Sequence, residues 1–141
     1  MLTVSNKALR ILIADEQHFH RMKIERLFNQ LDYYRIAPVR TLNEMLNLTE
    51  YGCEPFDLVL INAALADAAL DLRGFFRNHP GVRHAWVYNA GEAFLAVAQD
   101  RERGSLEFSQ STLPEIALIR QLMRRVDPLL TPHYLAQRSL C

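Results

Sequence analysis

Short runs of consecutive apolar residues alternate along this chain with segments of helical periodicity. Ile11-Leu12-Ile13 and Leu58-Val59-Leu60-Ile61 are the clearest runs, and a continuous run of this length is typical of a strand buried on both faces. Strands that alternate with helices predict βαβ units and a parallel sheet covered by helices on both sides. With 141 residues, the chain has the size of one domain.

Five βα units follow one another in this pattern. The predicted strands cover residues 9–14, 34–39, 56–61, 85–88 and 106–108, and the predicted helices cover residues 19–31, 42–51, 67–77, 92–103 and 112–126. Right-handed crossovers leave few arrangements of such units. The sequence therefore predicts an α/β fold with a flavodoxin-like, doubly wound sheet in the order 2-1-3-4-5. Pro38 makes the second strand an edge strand, because proline cannot donate to a ladder.

The two best-marked helices carry specific expectations. In the first helix, Phe19, Met22, Leu27 and Leu31 recur at helical spacing and predict the inward face. In the last helix, the sequence Ser111-Thr112-Leu113-Pro114 predicts a start at a serine or threonine cap, with the proline in the first turn.

Polar residues lie where the predicted strands end. Asp15 and Glu16 close the first strand, Asn62 closes the third and Asn89 follows the fourth. In a sheet of this order, the functional crevice lies at the carboxyl ends of strands one and three. We therefore expect these side chains to meet there.

Residues 8–126 resemble the receiver domain of bacterial response regulators in two-component signalling. The specific matches are Ile11-Leu12-Ile13-Ala14-Asp15-Glu16 and Phe56-Asp57-Leu58-Val59-Leu60-Ile61, which leads to the phosphoacceptor position. In that family the acid pair binds Mg²⁺ together with the acceptor aspartate and a backbone carbonyl two residues later. The resemblance places these roles at Asp15, Glu16, Asn62 and Ala64.

Three positions depart from the receiver pattern. The acceptor position carries Asn62, whose amide lacks the anionic oxygen that phosphoryl transfer needs. Asn89 stands where receivers place a threonine or serine, and Gln110 lies where they carry a lysine. No lysine follows Lys23. The resemblance thus implies a degenerate receiver, not an enzyme, that acts as a phosphorylation-independent interaction module in bacterial signalling or transcription control. No cofactor is expected, although weak Mg²⁺ binding by Asp15, Glu16 and Ala64 stays open.

Other interpretations of the candidate site stay open. One is a working phosphoacceptor that uses Asp67, Asp71 or Asp15, and another is a small-molecule module in the vacated crevice. Asp15 and Glu16 could also simply cap the following helix.

Isolated histidines and aromatic residues have ordinary structural interpretations. His18 and His20 lack the spacing of a zinc site and are expected to be solvated. Trp86 is expected in the core, whereas Tyr88 could belong to the core or to a partner surface.

Composition excludes several classes of protein. Lysine plus arginine and aspartate plus glutamate both number 16, so no basic surface for nucleic acid is expected. No run approaches the roughly 20 apolar residues of a membrane span. Cys53 and Cys141 form no spacing motif and predict free thiols in a cytoplasmic protein.

The end of the chain bears on the domain organisation and on the expected partners. Residues 127–136 look like the segment after the receiver in LuxR-type DNA-binding regulators, which predicts a receiver-like domain over residues 1–126 and a tail or linker helix over residues 127–141. Either the protein is a lone receiver or it belongs to a longer regulator. A signalling protein is the expected partner, bound through the last two βα units, and a homodimer is an alternative.

Overall fold

The structure, a computed structural model, describes residues 6–66, 72–77, 79–91 and 106–130. Its strands are β1 (Arg10–Ala14), β2 (Arg35–Val39), β3 (Leu58–Asn62), β4 (Ala85–Tyr88) and β5 (Leu106–Phe108). They pair in parallel in the order β2-β1-β3-β4-β5. The predicted fold class and strand order are therefore confirmed, and Pro38 lies in an edge strand as expected.

Helices flank this sheet on both faces. They are α1 (His18–Gln30), α2 (Leu42–Tyr51), α3 (Leu72–Phe76) and α4 (Ile116–Val126), with 3₁₀ turns at Ala63–Leu65 and Pro128–Leu130. Thr41 caps α2 by accepting a hydrogen bond from the Glu44 amide at 3.1 Å. The predicted helix over residues 92–103 and the predicted helix start at residue 67 lie outside the described residues.

Two apolar layers hold the sheet between the helices. One layer contains β-strand side chains packed against α1 and α4, and the other packs against α2 and α3. Trp86 and Tyr88 point into the first layer and Val87 into the second, as the two-residue period of a strand requires. Trp86 is 6% exposed, which confirms its predicted place in the core.

The inward face of α1 differs from the prediction. Ile24 and Phe28 are its buried residues, with Leu27 and Leu31 packed at the margin. Phe19 is 67% exposed and Met22 is 38% exposed. Phe19 precedes Ile24 by five residues, and at 3.6 residues per turn this separation places the two side chains on nearly opposite sides of the helix. The expectation that Phe19 and Met22 face inward was wrong.

The last helix also starts later than predicted. Its first residue is Ile116, and its N-cap is Glu115, whose side chain makes no capping hydrogen bond. The carbonyls of Ser109 and Ser111 instead accept hydrogen bonds from Ala90 at 2.9 Å and Asn89 at 2.7 Å. These bonds keep the segment after β5 extended along the end of β4, so the predicted cap at Ser111 or Thr112 was wrong.

A buried carboxylate follows α4. Asp127 is fully buried and accepts hydrogen bonds from the Tyr33 hydroxyl at 2.5 Å and from the Asn6 and Leu129 amides at 2.9 and 3.0 Å. The helix ends here, as Asp127-Pro128 predicted. Residues 131–141 lie outside the described ones, so the division of the chain at residue 127 and its resemblance to a linker stay predictions.

Candidate functional site

Three strand ends meet at one point of the carboxyl edge. Asp15 follows β1, Asn62 ends β3 and Asn89 follows β4. β1 and β3 are neighbours from which the chain winds in opposite directions, and this is where open α/β sheets place their functional crevice. The structure therefore brings together three of the predicted site residues.

The Asp15 carboxylate is the centre of the cluster. It is 1% exposed. Its Oδ1 accepts a hydrogen bond from the Gln17 amide at 2.9 Å. Its Oδ2 accepts from the Asn62 amide nitrogen at 3.1 Å and from the Tyr88 hydroxyl at 2.6 Å, and it contacts His20 Nδ1 at 3.1 Å.

These donors keep Asp15 ionised. Burial by itself raises the pKa of this carboxyl, but the hydrogen bonds from Tyr88, the Gln17 amide, Asn62 and His20 together outweigh it. The pKa of Asp15 therefore lies below its ordinary value, since hydrogen bonds to the charged form favour that form. The cluster is therefore a buried carboxylate anion, that of Asp15, stabilised by the surrounding hydrogen-bond donors.

Tyr88 is a member of this cluster that the sequence left undecided. The side chain is fully buried, and Tyr88 stands opposite Asn62 in the β3–β4 pairing. Burial, and then the hydrogen bond to Asp15, raise the pKa of its phenol. Tyr88 is thus a neutral donor at physiological pH. Its position at the end of a strand beside Asn89 was the signal that could have identified it.

His20 was also misjudged from the sequence. It was expected to be solvated, but its side chain is only 23% exposed and its Nδ1 faces Asp15. A ring nitrogen beside a carboxylate carries the proton, so Nδ1 donates. The one helical turn between Gln17 and Arg21 brings His20 back over the strand end. His18 remains exposed, as expected.

Arg21 fixes the loop that carries the acid pair. Its guanidinium donates to the Asp15 carbonyl at 2.7 Å and to the Glu16 carbonyl at 3.0 Å. Glu16 itself is exposed and lies outside the hydrogen-bond cluster. The N-cap of α1 is Gln17, whose own side chain makes no capping hydrogen bond. Asp15 is not the cap residue, but its Oδ1 accepts from the Gln17 amide and so supports the start of the helix.

The two amides are linked in series. Asn62 Oδ1 accepts from the Asn89 side-chain nitrogen at 3.1 Å and from the Ala64 amide at 2.9 Å, while its nitrogen donates to Asp15. Asn89 has a φ of 57°, a left-handed conformation that asparagine tolerates better than most residues. A chain of hydrogen bonds therefore runs from the Asn89 side chain through Asn62 to the buried Asp15 carboxylate.

This donor set does not fit Mg²⁺. The ion requires several oxygen ligands directed at it, whereas hydrogen-bearing groups of Asn62, Tyr88 and His20 all approach Asp15 Oδ2. Within the described ranges, no three side chains of histidine, cysteine, aspartate or glutamate group as metal ligands.

The remaining candidate positions lie at the margin of the cluster or outside it. Gln110 is exposed after β5, and no hydrogen bond links it to Asp15 or Asn62 in the described part of the chain. Ala64 contributes its amide to Asn62. The substitute acceptors considered above, Asp67 and Asp71, lie outside the described residues.

The solved structures that resemble this one include three with high coverage of both chains. A CheY-like receiver domain of a response regulator from Methylobacillus flagellatus has 15% sequence identity and a TM-score of 0.62, covering 84% of this chain and 98% of that one. A pilus assembly protein, CpaE, from Burkholderia thailandensis has 23% identity and a TM-score of 0.62, covering 84% and 97%. A pilus assembly-related protein from Burkholderia pseudomallei has 22% identity and a TM-score of 0.59, covering 84% and 88%.

These likenesses show that the chain has the receiver fold. No family model and no curated protein matches the sequence. Within the ranges that the structure describes, no helix is both long enough and apolar enough to cross a membrane.

Proposed function

We propose that this chain uses the receiver fold as a phosphorylation-independent interaction module in bacterial signal transduction or transcription regulation. The observation that carries the proposal is the hydrogen bond from the Asn62 amide to the Asp15 carboxylate. At the position where the family resemblance requires a nucleophilic carboxylate, this side chain is a hydrogen-bond donor to its neighbour. We propose further that the protein is cytoplasmic, is not an enzyme and needs no cofactor.

The chemistry of phosphoryl transfer explains why an amide in place of a carboxylate at this position matters. Transfer requires a positioned nucleophile and cations that neutralise the charge of the transferring group. Asn62 supplies no anionic oxygen, Tyr88 is a neutral phenol, and the guanidinium of Arg21 is directed to backbone carbonyls. Asp15 is the buried anion of the cluster, and its charge would repel an incoming phosphoryl group.

Binding is then expected to take place on the last two βα units. Between the segment before α4 and the helix itself lies a groove of about 480 Å³, lined by Leu113, Leu118, Gln121 and four neighbours. Arg120 and Arg124 are exposed on the same helix. The lining of the groove mixes apolar with polar side chains, a composition that is common at protein-binding surfaces. We propose a signalling protein as the partner and propose no direct contact with nucleic acid or membrane.

Intact-mass spectrometry tests this proposal. The full chain is incubated with acetyl phosphate and MgCl₂, and the Asn62→Asp variant is treated in parallel. We expect no adduct on the native chain. An added phosphate, roughly 80 Da, on the native chain would refute the proposal, and peptide mapping would then decide among Asp67, Asp71 and Asp15.

A thermal-shift titration with MgCl₂ gives an independent reading. A ligand that binds only the folded state raises the melting temperature as its concentration increases. We expect no saturable, Mg²⁺-specific shift for the native chain relative to CaCl₂ and NaCl at matched ionic strength. A saturable shift that the Asp15→Asn variant abolishes would contradict the metal-free part of the proposal.

A further inference from the structure

The exposed apolar side chains of this protein are unevenly distributed. Among the described residues, the large hydrophobic side chains classed as exposed are Phe19, Met22, Tyr34, Leu48 and Tyr51. All but Tyr34 lie on α1 or α2. Scattered apolar residues are normal on a surface, but apolar residues that share a helix face indicate a contact site.

The outward side of α1 forms a basic stripe, which we define as Phe19, Met22, Lys23 and Arg26. These residues are three or four positions apart, and all are exposed, so they share one side of the helix. The stripe combines two apolar side chains with two positive charges. Glu25, the acidic residue of α1, is half-buried at its flank.

The outward side of α2 forms an acidic stripe, which we define as Glu44, Asn47, Glu50 and Tyr51. Asn47 lies three or four positions from each of the others, so the four residues share one side of the helix. All four residues are exposed, and Tyr51 is 79% exposed. α2 contains no lysine or arginine, and the nearest such residue along the chain is Arg40, before the helix. This stripe therefore combines one large aromatic side chain with two negative charges.

The two stripes match in length as well as in charge. Phe19 to Arg26 and Glu44 to Tyr51 each span two helical turns, about 10 Å at 1.5 Å per residue. α1 packs on one face of the sheet and α2 on the other. The stripes of one molecule therefore cannot meet each other, but the basic stripe of one copy can meet the acidic stripe of a second copy.

We infer that this protein self-associates head to tail, with the basic stripe on α1 of one copy packed against the acidic stripe on α2 of the next. Such a contact is heterologous, because it joins two different surfaces, and it leaves one stripe free at each end. Repetition generates an open chain of copies unless the rotation closes a ring. This inference goes beyond the proposed function and requires no phosphoryl chemistry.

Charge selects this arrangement over a symmetric dimer on either helix. Two basic stripes facing each other would bring Lys23 and Arg26 of both copies together, and two acidic stripes would do the same with Glu44 and Glu50. Like charges across an interface oppose association. A contact between one pair of helix faces lies at the small end of interface sizes, so we expect a reversible association that is weakened by salt.

Sedimentation velocity of the full chain tests the inference. Measurements span a wide protein concentration range at low and high salt, with reducing agent present to exclude disulfides through Cys53 or Cys141. We expect the weight-average mass to rise with concentration at low salt. A monomer at every concentration would overturn the inference.

Two charge-reversal variants then identify the surfaces. Lys23→Glu/Arg26→Glu alters the basic stripe, and Glu44→Lys/Glu50→Lys alters the acidic stripe. Each is expected to weaken association by about tenfold or more, since two exposed attractive pairs become repulsive. Lys7→Glu and Tyr34→Ser change exposed residues outside both stripes and should leave association unchanged.

A mixture of the two variants separates a heterologous contact from a symmetric one. Two contacts are possible between the two variants. In the first, the altered basic stripe of one variant meets the altered acidic stripe of the other, and the charges attract because both are inverted. In the second, the unaltered acidic stripe of one variant meets the unaltered basic stripe of the other. Mixing should therefore restore association, although each variant alone stays weak. If only one of the two double substitutions weakens association, the contact is symmetric on that helix and the inference fails. It also fails if mixing restores nothing, or if neither stripe matters.

Discussion

The Tyr88 hydroxyl is predicted to contribute more to stability than any other single hydrogen bond to Asp15. It donates to Oδ2 at 2.6 Å, and both residues are buried. A hydrogen bond to a charged group contributes about 1.5–3 kcal/mol, and an unmade bond costs the desolvation of the group left behind. In Tyr88→Phe, the carboxylate keeps three of its four donors. We therefore expect a loss of about 2 kcal/mol at neutral pH.

The pH dependence of this loss follows from the pKa of Asp15. The folded-state pKa lies below the ordinary 3.8, so the unfolded chain binds more protons between the two values. The contribution of the Asp15 cluster is thus complete above the unfolded-state pKa and is lost as the pH falls through the folded-state pKa. The difference between the native chain and Tyr88→Phe should accordingly shrink in acid.

Urea unfolding followed by the fluorescence of Trp86, the single tryptophan, measures the effect. With a slope of about 1–2 kcal/mol per molar urea for a domain of this size, the midpoint should fall by roughly 1–2 M at pH 7. Tyr34→Phe serves as the control, because its hydroxyl makes only an exposed 3.3 Å contact with Asp32. A loss below about 0.5 kcal/mol, within the range of ordinary surface substitutions, or one that persists unchanged at low pH, would refute the reasoning.

Three other predictions concern the site, the core and the half-buried His84. Asn62→Asp places a second carboxylate beside Asp15, so it should destabilise the chain at pH 7 and recover stability as the pH falls and one carboxyl is protonated; urea midpoints at pH 5 and pH 7 check this, and equal losses would contradict it. Phe28→Ala should cost about 3–5 kcal/mol, whereas Phe19→Ala should cost less than about 0.5; similar midpoints for the two variants would refute the assignment of the α1 face. Burial lowers the pKa of His84 below 6.5, against a smaller opposing effect of Asp57. The contribution of neutral His84 to folding stability is therefore complete above pH 6.5 and declines as the pH falls toward the folded-state pKa. His84→Gln should flatten this part of the curve of unfolding free energy against pH, and an unchanged slope would contradict the prediction.

The fold was predictable because its strongest signals are local and redundant. Ile11-Leu12-Ile13 and Leu58-Val59-Leu60-Ile61 specify central strands, and both lie there. The bounds of β4 and β5 also agree with the prediction. Because crossovers between parallel strands are right-handed, few strand orders then remain possible.

The first and last helices were less predictable in detail. Several apolar residues of α1 fit a helical period, and the sequence does not state which of them the sheet will cover. Phe19 satisfied the spacing but not the packing. At α4, Ser111 resembled a cap, but its carbonyl is held by the Asn89 amide from another part of the chain. Local propensity yields to such non-local bonds.

By itself, the sequence determined that Asp15, Asn62 and Asn89 share one edge of the sheet, because the carboxyl ends of parallel strands converge there. Only the tertiary structure decided what those residues do to one another. The direction of the Asn62 amide, the buried hydroxyl of Tyr88 and the return of His20 over the strand end depend on distances between residues five to 73 positions apart. A spacing pattern carries strand and helix periods, but the hydrogen-bond partners of a buried carboxylate are selected by three-dimensional packing.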